Sequence, residues 1–403
     1  MRIVSDSNIL SIEAFLQESA ELRLLPGREI CREHLLDADA LLVRSITRVN
    51  ESLLHGTPVK FVGTATSGTD HIDLDYLRSA KIRFADARGS NANAVVDYCF
   101  AALAFAVLHR NLKLDRCTIG LVGAGHVGGL FAQKLDLLGV DYQVYDPLLA
   151  ELIRSDIETA PERDKEKGAY SERRQHFIPP MSRFCSFKEV LQSDVLSLHV
   201  PLTRSGAYPT FMLFGEKALD ELKADVTLIN TCRGSVVHEA ALTKKLRAAD
   251  EMTCIMDVWA NEPHVDARLV PLMDIATPHI AGYSQDAKFA ATAMLFAELA
   301  EFAGFAQQAV SGQKTIPALH TVELPKTEDL RWGSLLGLLP LDRLSDEFKF
   351  SVSQGKSATE FDAMRKQLLN RREFRHTHIA NSAFNIDQQH FLNSVGLQYD
   401  QPI

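Results

Sequence analysis

At 403 residues, with 46% hydrophobic and 24% charged residues, the chain has the composition of a globular protein of two or three domains and excludes a disordered one. A formal charge of −9 argues against a nucleic-acid or anionic-membrane surface, so a phosphate-bearing ligand would need a local basic pocket. The six cysteines (Cys31, Cys99, Cys117, Cys185, Cys232, Cys254) show no CxxC and no metal-ligand spacing, which predicts reduced thiols, no disulfide and no metal. No basic-then-apolar leader opens the chain and no apolar run approaches a membrane span, so the expected location is cytoplasmic.

From Met1 to about Ala87, strand-like runs (Arg2 to Ser5, Ala40 to Val43, Lys60 to Val62, Ile82 to Phe84) alternate with helical ones such as Ile12 to Gln17 and Leu74 to Arg78. That alternation predicts a small parallel α/β unit. Asn91 to Arg110 is apolar on nearly all sides and reads as one long buried helix. The second unit continues as βα repeats through Val195 to Leu198, Val226 to Ile229, Cys254 to Met256 and Ile275 to Thr277, a doubly wound sheet. Between Pro147 and Phe187 the chain is dense in both charge signs, carries Pro161, Pro179 and Pro180, and reads as a mobile loop. Gln285 to about Gln308 reads as a long helix that returns the chain to the first unit. After Pro317, a strand at Phe348 to Val352 and a helix from Thr359 to about Asn370 suggest an oligomerisation module. The expected architecture is thus α/β: two Rossmann-like doubly wound parallel-sheet domains, 1–90 with 282–310 and 91–281, plus a small α+β dimerisation domain at 311–403.

The run Thr118 to Gly128 is a strand that ends in glycines and leads into a helix. Gly123 permits a tight turn, Gly125 lets a diphosphate approach the backbone, and Gly128 lets helix and strand pack closely, with the helix N-terminus facing the anion. A second strand, Tyr142 to Tyr145, delivers Asp146 about 20 residues on, where a carboxylate accepts from both ribose hydroxyls and repels a 2′-phosphate. The pattern selects NAD, with Gly123, Gly125, His126, Val127, Gly128 and Asp146 as its contacts.

Three further residues follow later strands. Arg233 lies in Asn230 to Val237, Glu262 in Asp257 to Pro263 and His279 in Thr277 to Gly282. Singly, each has a plain explanation: an Arg-Gly turn, a surface glutamate before proline, a core histidine. Together they match what hydride transfer from a 2-hydroxy acid requires. A cation holds the carboxylate, a base takes the hydroxyl proton, and a carboxylate orients the base and favours its protonated form. In the first unit, Arg44, Ser45 and Arg48 follow one strand and Thr64 to Thr66 the next, so Arg44, Ser45 and Thr66 form a local donor cluster of the kind a phosphate-bearing ligand would need.

The glycine turn, Asp146-Pro147 and the Asn230, Asp257 and Thr277 blocks resemble the D-isomer-specific 2-hydroxyacid dehydrogenases over roughly Met1 to Val310. Leu42 to Ser45, Phe61 to Thr66, Asp70 to Asp73, His279 to Ser284 and Glu360 to Arg365 resemble the branch of that family that oxidises 4-phospho-D-erythronate. The resemblance implies NAD-dependent oxidation of that acid, early in a bacterial route to pyridoxal phosphate, by a homodimer joined through its tail. It makes Arg233 and Glu262 catalytic and His279 the proton donor or acceptor. Asp146, Asp257 and Gly282 become cofactor contacts, and Ser45, Thr66 and Tyr283 substrate contacts. Two departures stand out: the charged segment after Asp146 is longer than the family pattern, and Val200 replaces an expected hydroxyl-bearing cofactor contact, offering only its backbone. Competing readings are a dehydrogenase of another D-2-hydroxy acid such as 3-phosphoglycerate, and a non-catalytic NAD-responsive binding protein.

Overall fold

Two all-parallel sheets carry the chain. The computed structural model describes residues 1–16, 20–159, 176–248, 251–305, 319–324, 329–380 and 384–400. Contacts divide it into two units, Met1–Asn91 with Ser284–Ala318, and Ala92–Tyr283 with Leu319–Ile403. The expected helix ends at Gln17 and Gln308 and the domain junction at 310–311 lie outside the described residues.

In the first unit, β1 (Arg2–Asp6), β2 (Glu21–Leu25), β3 (Ala40–Val43), β4 (Phe61–Thr64) and β5 (Arg83–Asp86) form a five-stranded sheet in the order β2-β1-β3-β4-β5. The edge strand β2 escaped the sequence reading, since its charged residues interrupt any apolar run. Helix Gln285–Ala303 presses Leu295, Phe296 and Leu299 onto Ile3, Ala40, Leu42 and Phe61. The chain therefore does return to this sheet.

The second unit holds β6 (Ile119–Val122), β7 (Tyr142–Tyr145), β8 (Val195–Leu198), β9 (Thr227–Asn230), β10 (Thr253–Met256) and β11 (Ile275–Ala276), in the order β11-β10-β9-β8-β6-β7. Five of these strands are buried at every residue, as expected of a parallel sheet covered on both faces. Strand order reverses between β6 and β8, and in such sheets ligands bind beyond the carboxyl ends at that switch point.

Helix Ala92–His109 runs through the core of this unit. By length and composition alone it could cross a membrane, so the sequence does hold a run near that length. Here most of its apolar surface is covered by protein, and Leu108 near its end is exposed.

Two expected secondary structures are corrected. Where charge density suggests a loop, Pro147–Thr159 is a helix. Asp146 caps it, Oδ1 accepting from Leu149 N at 3.0 Å, proline occupies the first helical position, and Leu149, Ala150 and Ile153 are buried. The middle of the charged segment, including Pro161, lies outside the described residues. The second correction is at Phe348 to Val352, which belongs to helix Leu341–Ser353. Phe348, Phe350 and Val352 alternate like a strand, but the buried set is Leu341, Leu344, Phe348 and Val352 at helical spacing, and Phe350 faces solvent.

The last residues add β12 (His320–Val322), β13 (Thr377–Ile379) and β14 (Gln398–Tyr399), a small parallel sheet, with helices Trp332–Leu338, Ser357–Gln367 and Ile386–Val395. Trp332, Leu335, Phe391, Leu392 and Val395 share one core with Val95, Phe100 and Phe131. Contacts thus group Leu319–Ile403 with the glycine-turn unit instead of setting 311–403 apart.

Candidate active site

The glycine turn has the geometry an anion cradle needs. Gly123 sits at φ +95°, and a Cβ there would meet His199 O at 2.8 Å, because the loops after β6 and β8 touch. At Gly128 a Cβ would lie 2.0 Å from Gly123 O, so only glycine lets the helix approach its strand. Gly125 caps helix His126–Leu138 and faces open space, leaving room for a ligand against the backbone. His126 and Val127 form the first helical turn; the His126 ring lies 4.7 Å from that of His176, and Val127 packs against the core. Val200 places its side chain beside Gly123.

Asp146 stands at the end of β7 next to this turn. Its Oδ2 accepts from Ala124 N at 2.9 Å while Oδ1 caps the following helix. Each oxygen keeps a further lone pair, so the carboxylate can still accept from a ribose. These features fit a dinucleotide.

Arg233, Glu262 and His279 follow the adjacent strands β9, β10 and β11, all at carboxyl ends. Asn230 shapes the arginine turn: its Oδ1 accepts from Cys232 N at 3.1 Å and its Nδ2 donates to Arg233 O at 3.2 Å. Arg233 Nη1 donates to Cys232 O at 2.8 Å. Gly234 then lets this turn pack on the backbone after β10, since a Cβ would fall 1.9 Å from Trp259 C.

Glu262 and His279 meet. Oε2 lies 2.6 Å from Nδ1, and Oε1 accepts from Trp259 N at 2.9 Å. Burial pushes the Glu262 carboxyl up, but the neighbouring His279, its hydrogen bond and the Trp259 amide outweigh this and hold it below the usual glutamate range. With Nδ1 turned to the carboxylate, Nε2 is the nitrogen left for a substrate. His279 itself sits at φ +56°, in the left-handed region that a residue with a side chain rarely adopts.

Asp257 explains how that conformation is held. The residue is fully buried, its Oδ1 accepting from Thr277 Oγ1 at 2.6 Å and Ile280 N at 2.7 Å, and its Oδ2 from Ala281 N at 2.9 Å. Its carbonyl accepts from His279 N at 2.7 Å. Burial raises its carboxyl above the ordinary aspartate value, against the opposing effect of His279 and these donors. Through these contacts Asp257 organises the histidine loop. Gly282 and Tyr283 end the loop, with the Arg365 guanidinium 4.5 Å over the Tyr283 ring. Arg365 and Arg371, which also touches this loop, were missed by sequence reasoning, because nothing local ties an arginine to a turn some ninety residues earlier.

In the first unit, Arg44 and Ser45 follow β3 and Thr66 follows β4, on neighbouring strands whose ends are in register at Val43 and Thr64. Ser45 is exposed and Arg44 half-buried. Thr66 Oγ1 donates to Gly68 O at 2.8 Å and lies 2.7 Å from Thr64 Oγ1, which contacts His71 Nε2 at 2.9 Å.

The model of the D-isomer specific 2-hydroxyacid dehydrogenase NAD binding domain matches residues 167–281. A relative from Hahella chejuensis named erythronate-4-phosphate dehydrogenase is 37% identical, over 98% of this chain and 98% of its own length. One of the same name from Pseudomonas fluorescens is 38% identical over 93% of each. Among solved structures, NAD-bound 3-phosphoglycerate dehydrogenase of Entamoeba histolytica superposes with TM-score 0.59 at 22% identity, covering 78% of this chain and 99% of its own. The D-lactate dehydrogenase of Aquifex aeolicus, with NAD and lactic acid, gives 0.57 at 22% identity, covering 78% and 98%. These two support the fold alone. On the near full-length relatives, the chain belongs to the erythronate-4-phosphate dehydrogenases, within the D-isomer-specific 2-hydroxyacid dehydrogenase family.

Proposed function

We infer that the protein is an NAD-dependent dehydrogenase that oxidises 4-phospho-D-erythronate to 2-oxo-3-hydroxy-4-phosphobutanoate, a step toward pyridoxal 5′-phosphate. The observation that carries the chemistry is the 2.6 Å contact between Glu262 Oε2 and His279 Nδ1. It makes Nε2 the acceptor of the C2 hydroxyl proton, while Glu262 stabilises the imidazolium that results. Arg233 binds the substrate carboxylate through its planar fork. NAD, when bound, takes up the hydride that leaves C2. The glycine turn and the helix that starts at His126 would hold its diphosphate, and Asp146 its ribose. Asp257 and Gly282 border the nicotinamide end in this reading. Arg44, Ser45, Thr66 and Tyr283 are assigned to the substrate, with Arg44 on the phosphate.

A homodimer in the cytoplasm is also proposed, with neither nucleic acid nor membrane as a partner. Phe350 and Ile386, 67% and 82% exposed in the C-terminal segment, favour self-association there. Mixing the protein with NAD and 4-phosphoerythronate, 3-phosphoglycerate or unphosphorylated erythronate, and following nicotinamide absorbance, tests the activity. Turnover is expected with the first. Faster turnover of 3-phosphoglycerate would reassign the substrate, and none with any acid would favour an NAD-responsive binding protein.

A further inference from the structure

The loop that carries His279 is gripped on two sides. Its N–H groups face Asp257: those of Ile280 and Ala281 donate to the carboxylate and that of His279 to the main-chain carbonyl. Its carbonyl groups face Arg371, which belongs to the C-terminal segment of the same unit. Arg371 Nη1 lies 3.3 Å from Ile280 O, 3.1 Å from Ala281 O and 3.3 Å from Tyr283 O, and Nη2 donates to Ala94 O at 2.6 Å. One planar fork thus gathers the carbonyls of Ile280, Ala281 and Tyr283 and ties them to the start of the buried Ala92–His109 helix. Asp97, Glu373 and Asp257 supply the negative charge around it. A second arginine of the same segment, Arg365, stacks on Tyr283 at the end of the loop.

This grip bears on chemistry because of what it holds. His279 occupies a left-handed backbone conformation, and such conformations persist at working sites only where the surroundings fix them. Glu262 fixes the ring of His279 through Nδ1, but the direction of Nε2 also depends on where the backbone of the loop lies. A misplacement of about 1 Å costs a catalytic group on the order of 10²-fold in rate.

We infer that Arg371 is a positioning residue for the catalytic loop. Acting against Asp257, it sets the place of the His279 imidazole and of Tyr283, so the C-terminal segment completes the active site of its own chain. The inference rests on His279 being the proton acceptor. Lysine cannot replace arginine here, because a single ammonium on a flexible stem does not reach several carbonyls in a fixed plane.

The test uses full-length Arg371→Lys and Arg371→Met. For Arg371→Lys, which keeps a cation opposite Asp97 and Glu373, kcat with 4-phosphoerythronate should fall by ~10-fold or more while NADH affinity stays nearly unchanged. Amide hydrogen exchange should quicken in peptides spanning 279–283 and stay unchanged in those spanning 119–130. Arg371→Met should show the same pattern more strongly. Wild-type kcat and unchanged loop exchange in the lysine variant would overturn the inference. So would a loss of activity that tracks lost NADH binding and faster exchange throughout, which marks a general structural role. If the wild-type protein turns over none of the acids, the functional reading fails, and the exchange measurement still decides whether Arg371 holds the loop.

Discussion

Glu262 Oε2 contacts His279 Nδ1 at 2.6 Å, and this contact commits the imidazole to one orientation. His279→Ala should lower kcat by roughly 10²–10⁴-fold, the usual contribution of a general base, with NAD binding retained. Equilibrium binding of NADH by fluorescence, beside steady-state rates, checks both parts.

The same substitution should move Glu262. In the intact protein its depressed pKa contributes stability that is present above the unfolded value, 4.5, and is lost as pH falls through the folded one. Without the imidazole, burial acts against a weaker set of donors, so the Glu262 carboxyl should titrate at higher pH. Carboxyl-carbon NMR across pH 3–7 measures the change, and an unmoved titration would show that the two groups do not interact.

Asp146 has two roles that one variant separates. Asp146→Asn keeps an oxygen to cap helix Pro147–Thr159, but loses the charge that repels a 2′-phosphate. The ratio of kcat/KM for NAD over NADP should fall, with a modest loss of thermal stability because the amide nitrogen cannot accept from Ala124 N. An alanine in its place should also destabilise the protein, by about 1 kcal/mol of lost cap.

Arg44→Ala should reduce the preference for phosphorylated over unphosphorylated erythronate. Losing a charge-assisted hydrogen bond costs on the order of 1.5–3 kcal/mol, at least tenfold in selectivity. Comparison of kcat/KM for the two acids reads this directly, and an unchanged ratio would place the phosphate on other residues.

His199 makes the second unit sensitive to acid. Burial pushes its pKa down to about 3, with Nε2 2.9 Å from Ser197 Oγ and the ring edge-on to Phe131. The unfolded chain takes up this proton near pH 6.5, so between that pH and about 3 it binds more protons than the folded one. Stability therefore rises with pH through this window. His199→Asn should flatten the dependence of Tm on pH there.

What could be read from the sequence and what could not divides along a physical line. Gly123, Gly125, Gly128 and Asp146 announce themselves because each requirement is local: a positive φ, a close backbone approach, an acid at a strand end. The order Arg233, Glu262, His279 was legible because each follows an apolar strand. Phe348 to Val352 misled because three apolar residues in alternation suit a strand as well as one stripe of a helix, and only the longer period from Leu341 decides. Pro147–Thr159 was hidden by its charges, although Asp146-Pro147 is itself a helix start. The holds of Asp257 and Arg371 on the histidine loop leave no local mark. They exist only once distant segments meet.

The shared core of the second unit has a consequence for how the chain is made. Val95 and Phe100, near the start of that unit, are buried in one cluster with Val395 and Leu397 at the far end of the chain. During synthesis the first unit also waits, since its helix Gln285–Ala303 emerges some two hundred residues after β5. The glycine-turn unit waits longer, because its apolar core stays open until Val395 and Leu397 have left the ribosome. Loop closure over such separations is entropically slow, and exposed Val, Phe and Leu surface in the interval invites association with other nascent chains. Truncation near the carboxyl end should thus be felt first as a folding defect in the dinucleotide unit itself, appearing as dependence on a chaperone.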